Sequence, residues 1–236
     1  MYSARRRDGS SERFGSSGLL YRANKLMFDR GTFTLWHNLT GEAVLGPLAA
    51  AGARLATLPV TVTSWGAWRR AHPGTTAVVL PAGYGARWGF DYLPGAADRH
   101  RAGVRFPVWQ HSARLPARAE ILGVRVNGAA KAYPLDRAVA AGVINDRVGR
   151  EAVVVIAEPA SGALRVYRRG EHRFRREPDG LLRDASGNAW QEGEAALVPP
   201  AGSAETPLER LPSHHALWFG WFGFFPETAV WEPPTG

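Results

Sequence analysis

Two stretches of the sequence decide the expected architecture: Leu55-Ala56-Thr57-Leu58-Pro59 and Leu208-Glu209-Arg210-Leu211-Pro212, which lie 153 residues apart. At the same spacing two tryptophans, a proline and a threonine coincide: Trp65 with Trp218, Trp68 with Trp221, Pro73 with Pro226 and Thr75 with Thr228. The gapless alignment of 21 residues contains seven identities. Self-similarity at a fixed spacing is typical of repeat architectures, so we predict a duplicated unit.

Weaker matches extend the two copies toward their N-terminal ends. With small gaps, the matched segments are Gly41-Glu42-Ala43 with Gly193-Glu194-Ala195, Leu26, Asp29 and Trp36 with Leu182, Asp184 and Trp190, Arg13-Phe14 with Arg173-Phe174, and Tyr2 with Tyr167. On this pairing the first copy lacks a counterpart of residues 121 to about 165, roughly 45 residues. We therefore expect either that Met1 is not the natural start or that the chain is a shortened variant.

The local patterns indicate a β-rich α+β fold with short strands and small helices. Each copy should contain a small helix with a Trp-x-x-Trp motif whose two indoles pack inward together, and the second of these helices should run from Ser213, its N-cap, to Phe225. Further expected elements are a hairpin from Ile121 to Tyr133 turning at Asn127-Gly128, a helix at Leu135–Ala141, strands at Glu151–Ala157 and Ala163–Arg168, and a strand-end turn at Asn145-Asp146. The predicted organisation is a partial first repeat (1–80), a connecting segment (81–120) and a complete second repeat (121–232).

Composition excludes several classes of protein. The chain has 236 residues, of which 45% are apolar and none is cysteine. The apolar fraction excludes general disorder, and the lack of cysteine excludes disulfide frameworks, thiol catalysis and thiolate metal sites. The sequence contains no apolar run of about 18 residues, so it predicts no transmembrane helix. The N-terminal residues carry no apolar segment after their arginines and do not resemble a signal peptide.

The positive charge is a weak indication of nucleic-acid binding. The net charge is +8, but Lys25 and Lys131 are the only lysines, so the chain is arginine-rich. The arginine clusters are short, far apart and interrupted by acidic residues, and no recognition helix, zinc-finger spacing or aromatic RNA-binding motif accompanies them. We therefore interpret the arginines mainly as solvated surface and consider nucleic-acid binding unlikely.

A series of motifs resembles a prokaryotic family known only as a domain of unknown function, DUF3179. The segments that carry the resemblance are Phe14 to Tyr21, Met27 to Arg30, Leu35 to Ala43, Leu58 to Thr61, Ala132 to Leu135 and Val143 to Asp146. The resemblance extends from about Tyr2 to Trp231. It implies no assigned activity, and many members of the family carry export signals.

The resemblance also implies which residues would carry chemistry. Members typically contain an Asn-Trp-His-Glu-Ile-Val-Asn-Asp segment and a Cys-Pro-Leu-Cys-Gly-Thr segment in the first copy, a combination suited to metal or redox chemistry. Both segments fall in the part that has no counterpart here. In the second copy they align with Val139 to Asp146 and with Glu158 to Ser161, where the histidine, glutamate and cysteines are replaced.

One polar stretch remains as a candidate ligand-binding site. It combines Ser, Asn, Asp and Thr side chains with a tryptophan: Ser17, Asn24, Asp29, Trp36, Asn38 and Thr40. Such groups can line the edge of a small-ligand pocket. The structural alternative is that Asn38, Thr40 and Gly41 form a turn while Asp29 caps a strand connection. No catalytic residue and no metal site is predicted, and the cofactor is unknown.

Two functional hypotheses follow. The first is a non-catalytic module that binds a small ligand or a protein partner, and a strand-completing homodimer is one form of partner. The second is a truncated member of a metal- or thiol-dependent redox enzyme family whose reactive residues lie upstream of Met1. The localisation is unknown, because the resemblance implies export while this N-terminus shows no signal.

Overall fold

The fold is known from a computed structural model, which describes residues 1–4, 11–79, 104 and 107–234. The first part of the chain forms a four-stranded antiparallel meander whose strand order follows the sequence. Its strands are β1 (Phe14–Tyr21), β2 (Asn24–Asp29), β3 (Leu35–His37) and β4 (Ala43–Leu45). Two short helices follow, α1 (Pro47–Ala50) and α2 (Trp65–Ala71). The predicted connecting segment 81–120 lies mostly outside the described residues.

The second part of the chain contains three further sheets. Their strands are β5 (Glu120–Val126), β6 (Ala129–Pro134), β7 (Val143–Val148), β8 (Glu151–Ala157), β9 (Leu164–Arg168), β10 (Phe174–Arg176), β11 (Leu182–Asp184), β12 (Ala189–Glu192), β13 (Ala196–Val198), β14 (Leu208–Glu209), β15 (Ser213–Leu217) and β16 (Ala229–Val230). One sheet is mixed and has the order β15-β5-β6-β16, the second is antiparallel and has the order β7-β8-β9, and the third is a five-stranded meander from β10 to β14. The helices are α3 (Leu135–Ala141) and α4 (Trp218–Phe222).

Most of the local expectations are confirmed, including the β-rich character of the fold. Strands β5 and β6 form the predicted hairpin, and the turn residues Asn127 and Gly128 adopt positive φ angles of 49° and 83°. An Asn-Gly pair suits this turn because both central residues must be left-handed. Helix α3 and strands β8 and β9 also occur where the sequence predicts them.

Three local predictions are wrong. Ser213 is not an N-cap, because Ser213–Leu217 is the strand β15, which pairs with β5, and the helix begins only at Trp218. Asn145-Asp146 is not a turn but the middle of β7. The two indoles of α2 do not pack inward together, since Trp65 is 51% exposed. In the first case pairing with a distant strand, and in the second case pairing with the next strand β8, overrides the local signal.

The core lies mainly in the second part of the chain. Trp221 and Trp218 of α4 are buried against β5, as the apolar sequence of this segment predicts. Gly123 of β5 is required there, because a Cβ atom at this position would lie 2.3 Å from a ring carbon of Trp221. The close approach of strand to indole places α4 directly on the sheet.

Positions that the sequence alignment matches make the same contacts in both halves. The Trp36 indole donates to Asp29 at 2.8 Å, and the Trp190 indole donates to Asp184 at 2.9 Å. Three further contacts occur in both halves. The Trp68 indole donates to Thr75 as the Trp221 indole donates to Thr228, and Tyr2 forms a β-bridge with Thr57 as Tyr167 does with Arg210. The Leu58 amide donates to the Met1 carbonyl as the Leu211 amide donates to the Val166 carbonyl. These parallels support the duplicated unit, which we keep as a proposal together with its boundaries.

Candidate functional site

A groove of about 630 Å³ lies on the first meander, between the sheet and the segment that follows β4. Its wall is largely apolar and includes Phe14 of β1, Trp36 of β3, Leu48 of α1 and Leu55. Leu48 and Leu55 reach the groove because the chain turns at residues 51–52 and returns beside β4, where the Ala43 amide donates to the carbonyl of Ala53. Apolar lining with a few polar groups is typical of a binding surface.

Asp29 holds the central side chain of this wall in place. The carboxylate is fully buried and accepts hydrogen bonds from the Trp36 indole, at 2.8 Å, and from the Thr32 hydroxyl, at 2.9 Å. A buried carboxylate requires such donors, because an unpaired one would lose its hydration without replacement. The predicted cap at a strand connection is therefore one role of Asp29, since Thr32 lies in the β2–β3 connection. Its second role is to fix the orientation of the indole.

The polar rim of the groove consists of Glu12 and Arg54. Arg54 forms an ion pair with Glu42 at 2.5 Å, and Glu12 accepts a hydrogen bond from the backbone amide of Arg13 at 3.1 Å. The ring of Phe14 meets the Trp36 indole edge-on, with 6.0 Å between the ring centroids. The wall is thus pre-formed by side chains that contact one another.

The six predicted ligand-binding residues do not meet in one pocket. Asp29 and Trp36 contact each other, and Trp36 borders the groove. The Ser17 hydroxyl donates to the Leu26 carbonyl at 2.7 Å, across an irregularity in the β1–β2 pairing. Asn24 donates to the Gly220 carbonyl at 3.0 Å and so ties the β1–β2 turn to α4.

The remaining two predicted residues lie in the turn after β3. Asn38 is exposed, and the backbone amide of Thr40 donates to Nδ1 of His37 at 3.1 Å. Thr40 also borders a smaller groove of about 310 Å³ that reaches Asn127 and His214. The turn geometry agrees with the structural alternative for these positions. Ligand binding by the six residues stays a prediction.

His37 lies at the contact between the first meander and the end of α4. Its ring stacks on Phe224 with 4.0 Å between the centroids and meets Tyr21 edge-on. Burial lowers the pKa of His37 to about 4, so the imidazole is neutral at pH 7. Arg22 covers the same aromatic rings, 5.5 Å from the centroid of Phe224. This arrangement packs two parts of the fold together.

A second polar cluster joins the segment after Leu55 to the second half. Glu194 accepts hydrogen bonds from Arg165, at 2.7 Å, from Thr61, at 2.8 Å, and from Arg210. Burial raises the pKa of Glu194, but the hydrogen bonds from Arg165 and the other two donors outweigh it and lower the pKa to about 2. The Glu194 carboxylate is held by three donors from the protein itself, so the cluster serves as a structural tie.

Sequence reasoning missed the apolar residues of the groove, namely Phe14, Leu48 and Leu55. The sequence marks a ligand site by a cluster of polar residues, whereas this groove is formed by apolar side chains that are remote in sequence. A signal was present, since Phe14 and Leu55 match Phe174 and Leu208, which contact the buried cluster of the second half.

Neither a metal-binding cluster nor a membrane-spanning helix occurs among the described residues. Within them, no group of three His, Asp or Glu side chains is arranged to hold a metal ion. Over the same residues, none of the helices combines the length and apolar character needed to cross a bilayer.

Comparison with known proteins identifies the family to which the chain belongs. No curated protein and no solved structure matches it significantly. A family model described as a protein of unknown function, DUF3179, matches residues 1–228. This match covers nearly the whole chain and agrees with the motifs between Phe14 and Asp146. The chain therefore belongs to the DUF3179 family.

Proposed function

We propose that this chain acts as a non-catalytic binding module and that its binding surface is the groove on the first meander. The observation that carries the proposal is an apolar wall of half-buried Phe14, Leu48 and Leu55 that adjoins the buried Trp36 indole, whose orientation is fixed by a buried carboxylate. Asp29 is already saturated with internal donors, so it serves the wall and does not face a ligand.

The chemistry of the wall supports binding of apolar surface. Phe14, Leu48 and Leu55 are each half-buried, so a ligand that covers them removes further apolar area from water. Burial of apolar area contributes about 25 cal/mol per Å². Charge is confined to the rim at Glu12 and Arg54, where it can orient a ligand without being buried.

The test uses the dye 1-anilinonaphthalene-8-sulfonate, whose fluorescence rises on apolar protein surface, with the full chain and two matched variants. Leu48→Glu places a charge on the groove wall. Leu45→Glu makes the same change on β4, where the leucine is 65% exposed and outside the groove. We expect the dye signal to fall several-fold in Leu48→Glu and to stay unchanged in Leu45→Glu. Equal signals from both variants, with native near-ultraviolet circular dichroism, would contradict the proposal.

A further inference from the structure

We infer that the smaller groove, between the turn after β3 and the β5–β6 hairpin, binds a small molecule through a phosphate group. This groove is separate from the one on the first meander, although Arg54 and Leu55 border both, so the inference does not rest on the proposed function. It is based on the charged and polar side chains that the two parts of the chain bring together.

The lining of the smaller groove carries positive charge. Two guanidinium groups, two hydroxyls, an amide and an imidazole line it, from Thr40, Arg54, Thr57, Arg125, Asn127 and His214. None of its described lining residues is an aspartate or a glutamate. A cleft lined by charge of one sign attracts ligands of the opposite sign, so the lining points to an anion.

The main support comes from Arg125, whose guanidinium is held in place without an acceptor. It lies over the Phe225 ring, 4.4 Å from the centroid, and the residue is half-buried. Within the described ranges it forms no ion pair and donates no hydrogen bond. Its rigid fork of N–H groups, a geometry that matches the oxygens of phosphate and carboxylate, is therefore available to a ligand.

Strand pairing fixes Arg125 and His214 on one face of the sheet. Gly123, two residues before Arg125 in β5, pairs directly with His214 of β15. Side chains at alternate positions of a strand, and at directly opposite positions of paired strands, point to the same face. Burial lowers the pKa of His214 to about 4, and the positive charge of Arg125 acts in the same direction. The imidazole is thus neutral at pH 7 and brings one N–H donor to the groove.

Two carboxylates lie next to the groove, and both have partners within the protein. Glu42 pairs with Nη2 of Arg54, whose side chain is 62% exposed and keeps further N–H groups for a ligand. Glu151 accepts a hydrogen bond from the Asn127 amide at 3.2 Å and forms an ion pair with an arginine of β9. Neither carboxylate pairs with Arg125, so the positive charge of Arg125 remains for an anionic ligand.

The positions of the donors favour phosphate over carboxylate. Arg54 and the Thr57 hydroxyl, which makes no hydrogen bond to any described residue, belong to the first part of the chain, whereas Arg125 and His214 belong to the second. A tetrahedral phosphate presents oxygens in several directions and can accept from both sides of the groove, while the two oxygens of a carboxylate lie in one plane. The volume of about 310 Å³ is that of a small-ligand site.

The experiment follows the His214 ring signals of the full chain by nuclear magnetic resonance during titration with inorganic phosphate, at pH 7 and constant ionic strength. Acetate serves as the carboxylate probe. Arg125→Gln removes the stacked guanidinium, and Arg69→Gln is the matched control, because it removes the same charge from an exposed position of α2 outside the groove. Arg54→Gln, at an exposed position of the groove, is the second test variant and replaces Arg125→Gln if the latter loses the native near-ultraviolet circular dichroism.

We expect the His214 signals to shift saturably with phosphate. The dissociation constant should rise at least tenfold in Arg125→Gln and in Arg54→Gln, because each loses a charge-assisted hydrogen bond, and should change less than twofold in Arg69→Gln. Acetate should bind at least tenfold more weakly than phosphate. A phosphate titration without saturation, or equal affinities of the groove variants and Arg69→Gln, would overturn the inference. Acetate binding as tight as phosphate binding would also overturn it, because the groove would then not select a tetrahedral anion.

Discussion

The tryptophan–threonine hydrogen bond that occurs in both halves allows a test of how burial changes the contribution of one hydrogen bond to the free energy of unfolding. Trp221 donates to the Thr228 hydroxyl at 3.0 Å, and Trp68 donates to the Thr75 hydroxyl at 2.9 Å. The geometry is the same, but Thr228 is 1% exposed while Thr75 is half-buried. We therefore compare Thr228→Val with Thr75→Val, in which a methyl group of similar size replaces each hydroxyl.

The magnitudes follow from what replaces the lost acceptor. In Thr228→Val the buried indole N–H loses its partner where water has no access, which costs about 2 kcal/mol. For a chain of this size 1 kcal/mol shifts the melting temperature by about 2–4 °C, so the expected decrease is about 4–8 °C. In Thr75→Val water can replace the hydroxyl, and the expected effect is within about 0.5 kcal/mol.

Thermal unfolding at pH 7, followed by near-ultraviolet circular dichroism, measures the melting temperature of both variants. The wild-type near-ultraviolet spectrum at 20 °C serves as the control for native packing. Equal shifts in the two variants, or a shift below 2 °C for Thr228→Val, would refute the argument that burial determines the value of this bond.

Three further predictions concern packing and pH. Gly123→Ala should destabilise the fold by about 3 kcal/mol, because its Cβ atom would meet the Trp221 ring at 2.3 Å. Gly66→Ala in α2, whose Cβ atom would have no contact closer than 3.6 Å, should stabilise the fold by about 0.5–1 kcal/mol. Urea unfolding measures both changes in stability, and the same sign for the two variants would contradict the reasoning. Glu194 has a folded-state pKa of about 2, below its ordinary value of 4.5, so its contribution is complete above pH 4.5 and is lost as the pH falls toward 2. The melting temperature of Glu194→Gln should thus fall less than that of the wild type between pH 5 and pH 2, and parallel decreases would argue against this role. His37 has a folded-state pKa of about 4, below 6.5, so stability should decrease as the pH falls from 6.5 to 4; a nuclear magnetic resonance titration of its ring with a midpoint near 6.5 would exclude the buried neutral state.

The sequence predicted best those elements that local chemistry alone specifies. The Asn127-Gly128 hairpin is an example, because its turn conformation depends on two adjacent residues. It failed at Ser213–Leu217, where an apparent helix start becomes a strand. The five residues pair with residues 120–124 of β5, about 90 residues away in the sequence.

The candidate site shows the same division between local and distant effects. The turn after β3 and the role of Asp29 at a strand connection follow from the turn preferences of Asn, Asp and Thr. The groove could not be predicted in this way, because Phe14, Trp36 and Leu55 come together only when the meander folds and the chain returns beside β4. The exposure of these side chains depends on which elements pack against them, and only the tertiary structure decides that.

The sequence by itself determined the family and the β-rich class, and it indicated which positions could correspond between the halves, because each of these depends on residue identity and spacing. Only the tertiary structure decided that the matched residues make the same hydrogen bonds in both halves. It also decided that Phe174 is buried against β8 while Phe14 is half-buried at the groove. The physical reason is that burial is set by the neighbours a side chain acquires on folding, and two similar local motifs acquire different neighbours.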